Sequence, residues 1–338
     1  MIPDARAFIT GCAGPVLSVE ERAFIRRYQP WGLIVFRRNV DTPEALSALT
    51  STFRELVGRA DAPVLIDQEG GRVQRMTAPR WPKYPAARTF AGLGRRRGLE
   101  TAALSARLMA SDLAAVGVNV DCLPVLDVPA ADGNEIIGDR AYADNPADVA
   151  LFGRAVAEAM LAMGVLPVVK HMPGHGRARV DSHLELPVVT ASRADLEAVD
   201  FAPFRALADM PLGMTAHVVY TALDPAAPAT LSRTVVRDII RGFIGFDGLL
   251  MTDDLSMKAL AGGFAERARA AFVAGVDVAL HCNGDMREAE PVAEVSPMLA
   301  GRSLERAESA LRRVSGPRDP IVAVDARAKL DLALAALA

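Results

Sequence analysis

The stretch GLIVFRRNVDTPEALSALTSTFRELVGRADAPVLID, residues 32–67, holds two short apolar runs separated by one longer amphipathic segment. Gly32 to Phe36 and Pro63 to Asp67 are too short for stable helices, and their Val, Ile and Leu content suits strands buried on both faces. Between them, Thr42 to Arg59 has helical patterning, with Pro43 near its start, where a missing N–H costs nothing. Strand, helix and strand in this order are the unit of a parallel sheet.

The same unit repeats outward in both directions. Ala7 to Gly11 precedes it, and Val118 to Leu126, Leu166 to Lys170, Gly213 to His217, Gly248 to Thr252 and Val276 to His281 follow, which makes eight strands. Amphipathic helices are expected over Leu99 to Val116, Pro146 to Met163, Ser192 to Leu207, Arg233 to Gly242 and Gly263 to Ala274. Eight strand–helix pairs match the count of a closed (β/α)8 TIM-type barrel, although short strands alone would also permit an open doubly wound sheet. No G-x-G-x-x-G follows the first strand, which weakens the open-sheet alternative. No linker or composition break divides the chain, so residues 1–338 are expected to form one α/β catalytic domain with a C-terminal helical extension from about Ser303.

Composition narrows the function classes. The 338 residues are 51% hydrophobic and 23% charged, with a formal net charge of -3 and a pI near 6.0. That balance gives no global reason to bind nucleic acid or an anionic membrane. Cys12, Cys122 and Cys282 are odd in number and far apart, without the close pairs of metal or redox motifs. Ile9-Thr10-Gly11-Cys12 formally resembles a lipoprotein cleavage site, but no basic start or apolar run precedes it, and it reads as a buried first strand. No apolar stretch approaches the ~20 residues that span a bilayer. A cytoplasmic location is the expectation.

All five histidines, His171, His175, His183, His217 and His281, fall at or just after the carboxyl end of an expected strand. Asp67, Glu69, Asp127, Asp181, Asp253 and Asp254 gather at the same ends. Those ends form one rim of a barrel, where active sites sit. A metal centre is the first chemistry to weigh, because His and Asp clusters hold divalent ions. His171 and His175 have the right spacing, but Pro173 and Gly174 between them oppose a helical display, and no metal or cofactor is expected. Chemistry on a sugar is the second: it needs a carboxylate beneath the anomeric carbon and a proton donor beside the leaving oxygen. Asp253 or Asp254, ending a buried strand, suits the first role, and side-chain alternation lets only one of them face the barrel mouth. In Asp181-Ser182-His183 a carboxylate two residues from an imidazole can orient the ring and stabilise its cation. Gly70 and Gly71 suit close backbone approach, while Gly174 and Gly176 suggest a flexible loop that closes after binding.

Four segments carry a more specific signal. Lys170-His171-Met172-Pro173-Gly174-His175-Gly176 with Asp181-Ser182-His183, then Met251 to Met257, then Asp67 to Arg75, and Ile137-Gly138-Asp139-Arg140 together resemble the signatures of family 3 glycoside hydrolases. The resemblance runs from about Gly32 to Cys282 and is to the bacterial β-N-acetylhexosaminidases of peptidoglycan recycling. It implies that Asp253 is the nucleophile and that Asp181 and His183 form the acid/base dyad, leaving Asp254 structural. It further implies substrate contacts from Asp67, Arg75, Arg140, Lys170 and His171. Met172 stands where that family usually has Phe, and either fills an apolar slot. Larger family members carry a second α/β domain, and the short form here matches the cytoplasmic recycling enzymes.

The function so implied is a retaining exo-β-N-acetylglucosaminidase acting on muropeptide fragments, through a covalent glycosyl-enzyme. Within the family the alternatives are a β-glucosidase, against which the Asp-x-His dyad argues, and a phosphorylase, which no residue decides. A non-catalytic muropeptide-binding barrel is a further alternative, opposed by the presence of both Asp253 and His183.

Overall fold

A computed structural model describes residues 5–130, 136–180, 182, 185–316, 319 and 321–337. Its eight barrel strands are β1 (Arg6–Thr10), β2 (Pro30–Val35), β3 (Val64–Ile66), β4 (Val120–Asp121), β5 (Leu166–Met172), β6 (Leu212–Thr215), β7 (Leu249–Asp254) and β8 (Val278–His281). All are parallel, each pairs with its sequence neighbours, and β1 closes the ring on β8 with Phe8 opposite Ala279 and Thr10 opposite His281. The fold is therefore the closed (β/α)8 barrel.

Side-chain alternation divides each strand between two cores. Ile34 on β2 and Leu249 and Met251 on β7 belong to the barrel-interior cluster with Ile9, Leu65 and Val168. Leu33, Val35 and Leu250 point the other way, into the layer between sheet and helices. Continuous apolar strands are what a sheet covered on both faces requires.

The helices end where their sequence says they should. Thr42 caps Pro43–Val57 by accepting from the Ala45 N–H, and Gly58 closes that helix with a φ of 63°. Asn145 caps Pro146–Ala162 in the same way. The C-terminal extension begins at Gly301. Helix Gly301–Arg312 adds Ala307, Ala310 and Leu311 to the barrel-interior cluster, and Ala323–Leu334 packs on helix Arg95–Ala115 through Ala326 and Leu330.

Three elements depart from the sequence pattern, the first being the expected helix Arg233 to Gly242, which runs as a wide π-helix over Val235–Phe243. The expected strand Val118 to Leu126 keeps a ladder only at Val120–Asp121, because the Leu123 N–H turns back to the Asp121 carbonyl and Pro124 has no N–H to give. Pairing resumes at Val125 opposite Lys170. The expected helix Ser192 to Leu207 runs as Arg193–Asp195, a wide π turn over Leu196–Asp200, and Ala202–Ala206. Pro203 interrupts the donor series there, and the Phe201 N–H reaches back to Leu196. Sequence patterning did not resolve helix Val19–Tyr28, helix Met286–Val295, or the hairpin of Gln68–Gly70 with Val73–Gln74.

Candidate functional site

At the carboxyl ends of the strands lies a cavity of about 270 Å³. Asp67, Arg75, Arg140, Lys170, His171 and Asp253 all line it, with Glu69, His175, Ser182 and Asp254. Six residues singled out from sequence thus meet in one place. Asp181 and His183 lie outside the described residues.

One wall is a buried ionic cluster. Asp67 follows β3 directly, and Glu69 sits in the hairpin that leaves it. Lys170, on β5, reaches Asp67 Oδ1 at 2.9 Å and Glu69 Oε1 at 2.7 Å. Arg75 meets Asp67 Oδ2 at 3.0 Å, and Arg140 grips Glu69 through two parallel bonds of 2.8 Å. Three cations against two carboxylates leave one positive charge in excess. Burial works against ionisation of Asp67, but Lys170 and Arg75 outweigh it and hold the carboxyl below the usual range. Burial likewise opposes the Glu69 charge, and Arg140 and Lys170 overcome it to bring the carboxyl to about 2. The Lys170 ammonium, though disfavoured by burial, is held above its ordinary range by Asp67 and Glu69.

Aromatic and backbone contacts hold the cations in place. The Arg75 guanidinium lies 5.2 Å from the Phe36 ring centre, and Arg140 also donates to the Ile136 carbonyl at 3.0 Å. Each charged tip is therefore fixed before any ligand arrives, the preorganisation that recognition of hydroxyl groups needs.

Beside this cluster, Asp127 organises two histidines. Its Oδ2 is 2.7 Å from His171 Nδ1, and its Oδ1 accepts the His175 backbone N–H at 2.6 Å. The bond to Nδ1 fixes the His171 ring and leaves its other nitrogen for the cavity. Burial, then the neighbouring His171, push His175 down to about 4, so it is neutral at pH 7. Its Nε2 lies 3.2 Å from Ser182 Oγ.

Across the cavity stands β7. In the ring order β3 and β7 are four strands apart, so Asp67 and Asp253 face each other over the barrel axis. Strict alternation does not separate the two aspartates as expected: the register of β7 on β8 shifts between Met251 and Asp254, and both Asp253 and Asp254 line the cavity. Asp254 spends its carboxylate on local structure: Oδ1 accepts from the Ser256 N–H at 3.0 Å and the Cys282 N–H at 3.1 Å, and Oδ2 takes the Ser256 hydroxyl at 2.5 Å. Its backbone N–H donates to Asp253 Oδ1 at 2.8 Å, which orients that carboxylate.

Not every histidine at the rim enters the cavity. His217 is fully buried behind it, bonded to Thr230 and to the Asp254 carbonyl, and burial lowers its pKa. His281 is buried edge-on to Phe264, 3.5 Å from Glu288. Both support the rim rather than line it. Among the described residues no three His, Cys, Asp or Glu side chains converge as metal ligands.

The glycines also correct an expectation. Gly70 and Gly71 do serve close approach, with positive φ of 90° and 57°. The expected flexibility of Gly174 and Gly176 gives way to tight packing: a Cβ at Gly176 would fall 1.8 Å from the Val128 carbonyl oxygen, and one at Gly174 2.9 Å from Asp200. Residues 171–176 are buried throughout. Glu69, Asp127, His175 and Ser182 are the residues that sequence reasoning placed nearby without giving them a role. Glu69 and Asp127 had a readable signal, a carboxylate just past a strand end.

A closed barrel with a charged, preorganised cavity at its carboxyl rim defines a class of enzyme scaffold. The chain belongs to glycosyl hydrolase family 3, whose N-terminal domain model matches residues 13–315. A β-hexosaminidase of Alkalilimnicola ehrlichii is 42% identical over 280 residues, covering 81% of this chain and 79% of the relative. The β-hexosaminidase of Pseudomonas aeruginosa PAO1 is 37% identical over 273 residues, 80% of each chain. Among solved structures, NagZ from Neisseria gonorrhoeae in complex with N-trifluoroacetyl-D-glucosamine superposes with a TM-score of 0.84 at 30% identity, over 99% of this chain and 97% of that one.

Proposed function

We propose that this protein is a retaining exo-β-N-acetylglucosaminidase that removes terminal β-linked N-acetylglucosamine from cytoplasmic peptidoglycan fragments, N-acetylglucosaminyl-1,6-anhydro-N-acetylmuramic acid with or without its peptide. Family membership and the shared naming of the β-hexosaminidase relatives support the hydrolase activity. The observation that carries the mechanism is the placement of Asp253, oriented by the Asp254 N–H and opposite a fixed array of cations and carboxylates. No helix among the described residues is long and apolar enough to cross a membrane.

In this reading Asp67, Arg75, Arg140, Lys170 and His171 hold the hydroxyls of one sugar. A cavity of about 270 Å³ lies at the small end of ligand pockets, ~300 Å³ and upward, and suits a single terminal residue. Asp253 attacks the anomeric carbon while the glycosidic C–O bond breaks and the leaving oxygen takes a proton from His183, oriented by Asp181. Water then attacks the glycosyl ester, its proton returns to His183, and the Asp253 carboxylate is released. Two inversions restore the β configuration.

The test is turnover of a chromogenic β-N-acetylglucosaminide with and without phosphate. Free N-acetylglucosamine in both buffers is expected. Release of the sugar 1-phosphate would make the enzyme a phosphorylase, and an α-configured first product would remove the retaining mechanism. In a deletion strain the uncleaved disaccharide should accumulate, whereas unchanged muropeptide pools would reject the proposed substrate.

A further inference from the structure

We infer that His175 is a positioning residue that anchors the acid/base segment of the chain through Ser182. The inference rests on the proposed roles of Asp181 and His183. Ser182 is buried, lines the cavity and sits with its Oγ 3.2 Å from His175 Nε2. Its two neighbours in the sequence are Asp181 and His183. A hydrogen bond that fixes Ser182 therefore sets the starting point of both members of the dyad.

The anchor itself is rigid for identifiable reasons. The His175 N–H donates to Asp127 Oδ1 at 2.6 Å, and the same carboxylate holds His171 at 2.7 Å. Gly174 and Gly176 pack closely against Asp200 and Val128, leaving no space for a side chain on either side of His175. A neutral imidazole can accept the Ser182 hydroxyl proton or donate to its oxygen, so the contact survives across the working pH range. One carboxylate, Asp127, thus ties a proposed sugar contact, His171, and the anchor of Ser182, His175, to a common frame. That linkage gives a role to a buried, neutral histidine at the cavity wall.

The structure of the contact and its catalytic use are separable by experiment. Ser182→Ala removes only the hydroxyl and should fold; Ser182→Thr retains it; His175→Gln removes the ring with little loss of volume. Hydrogen exchange of peptides covering 176–186 should speed up in Ser182→Ala and His175→Gln and stay near wild type in Ser182→Thr. On an unactivated alkyl N-acetylglucosaminide, kcat/KM of Ser182→Ala should fall about five- to tenfold, the rate equivalent of one ordinary hydrogen bond. The loss on a dinitrophenyl glycoside, which needs no proton, should be clearly smaller, and His175→Gln/Ser182→Ala should be no worse than His175→Gln alone. Unchanged exchange would overturn the anchor. Faster exchange with equal losses on both substrates, or additive losses in the double variant, would overturn its positioning role. A His183→Ala enzyme that shows no dependence on the leaving group would instead reject the acid/base reading on which the inference rests.

Discussion

Glu69→Gln removes a single charge from the most buried part of the site while keeping its shape. In the native cluster Arg75, Arg140 and Lys170 face Asp67 and Glu69, an excess of one positive charge that the substitution raises to two. The Glu69 side chain is only 4% exposed, so solvent screening gives little relief. Breaking a buried pair by removing one partner costs about 3–5 kcal/mol. Linkage gives a similar size: Glu69 goes from an ordinary 4.5 to about 2, and at ~1.4 kcal/mol per unit its charge contributes on the order of 3 kcal/mol. The sign follows from the depressed value. The contribution is complete above pH 4.5 and is lost as pH falls toward 2. Urea unfolding at pH 7 should show Glu69→Gln less stable by about 2–4 kcal/mol, Gln retaining one acceptor for Arg140. By pH 3 roughly half of that difference should vanish, because the native Glu69 pays back its advantage as the unfolded chain takes up protons. A difference below about 1 kcal/mol at pH 7, or one that does not narrow on acidification, would refute the view that Glu69 holds the cluster together.

Other substitutions divide the site by role. Asp253→Ala should nearly abolish turnover with stability unchanged within about 1 kcal/mol, while Asp254→Asn should lose about 1–2 kcal/mol of stability and still form product, as measured by thermal melts beside steady-state rates. His183→Ala should slow poor leaving groups strongly and activated aryl glycosides far less, with Asp181→Asn following the same pattern; equal losses under conditions where glycosylation limits would show that His183 is not the acid. His175 is buried neutral with its pKa lowered to about 4, so it costs stability as pH falls from 6.5 toward 4. His175→Asn should flatten the wild-type acid decline over that window, and an identical decline in both proteins would contradict the assignment.

The barrel was legible because its strands are short apolar runs at regular spacing, and that signal is local. Where tertiary packing decides, it was not. Val118 to Leu126 reads as one strand, yet the Leu123–Pro124 pair interrupts its ladder, and only contact with β5 restores extended pairing at Val125. Helix Val19–Tyr28 had a readable start in the capping box of Ser18 and Glu21, but its charged sequence hides a buried face of Phe24, Ile25 and Tyr28. Within the site, residue types at strand ends located the cavity. They did not reveal that Glu69 binds Arg140 and Lys170, 71 and 101 residues away, because such pairing exists only once the barrel closes. Nor did glycine content separate a hinge from a tight fit, since Gly174 and Gly176 are small for the sake of Asp200 and Val128.

The most direct test of the account is to trap the enzyme with a mechanism-based fluorinated N-acetylglucosamine analogue and sequence the labelled peptide by mass spectrometry. The peptide spanning β7 should carry one sugar on Asp253, with Asp254 unmodified, and no label should form in Asp253→Ala. A label on any other residue, or an inverted first product without a trapped ester, would contradict Asp253 as the nucleophile and with it the retaining mechanism.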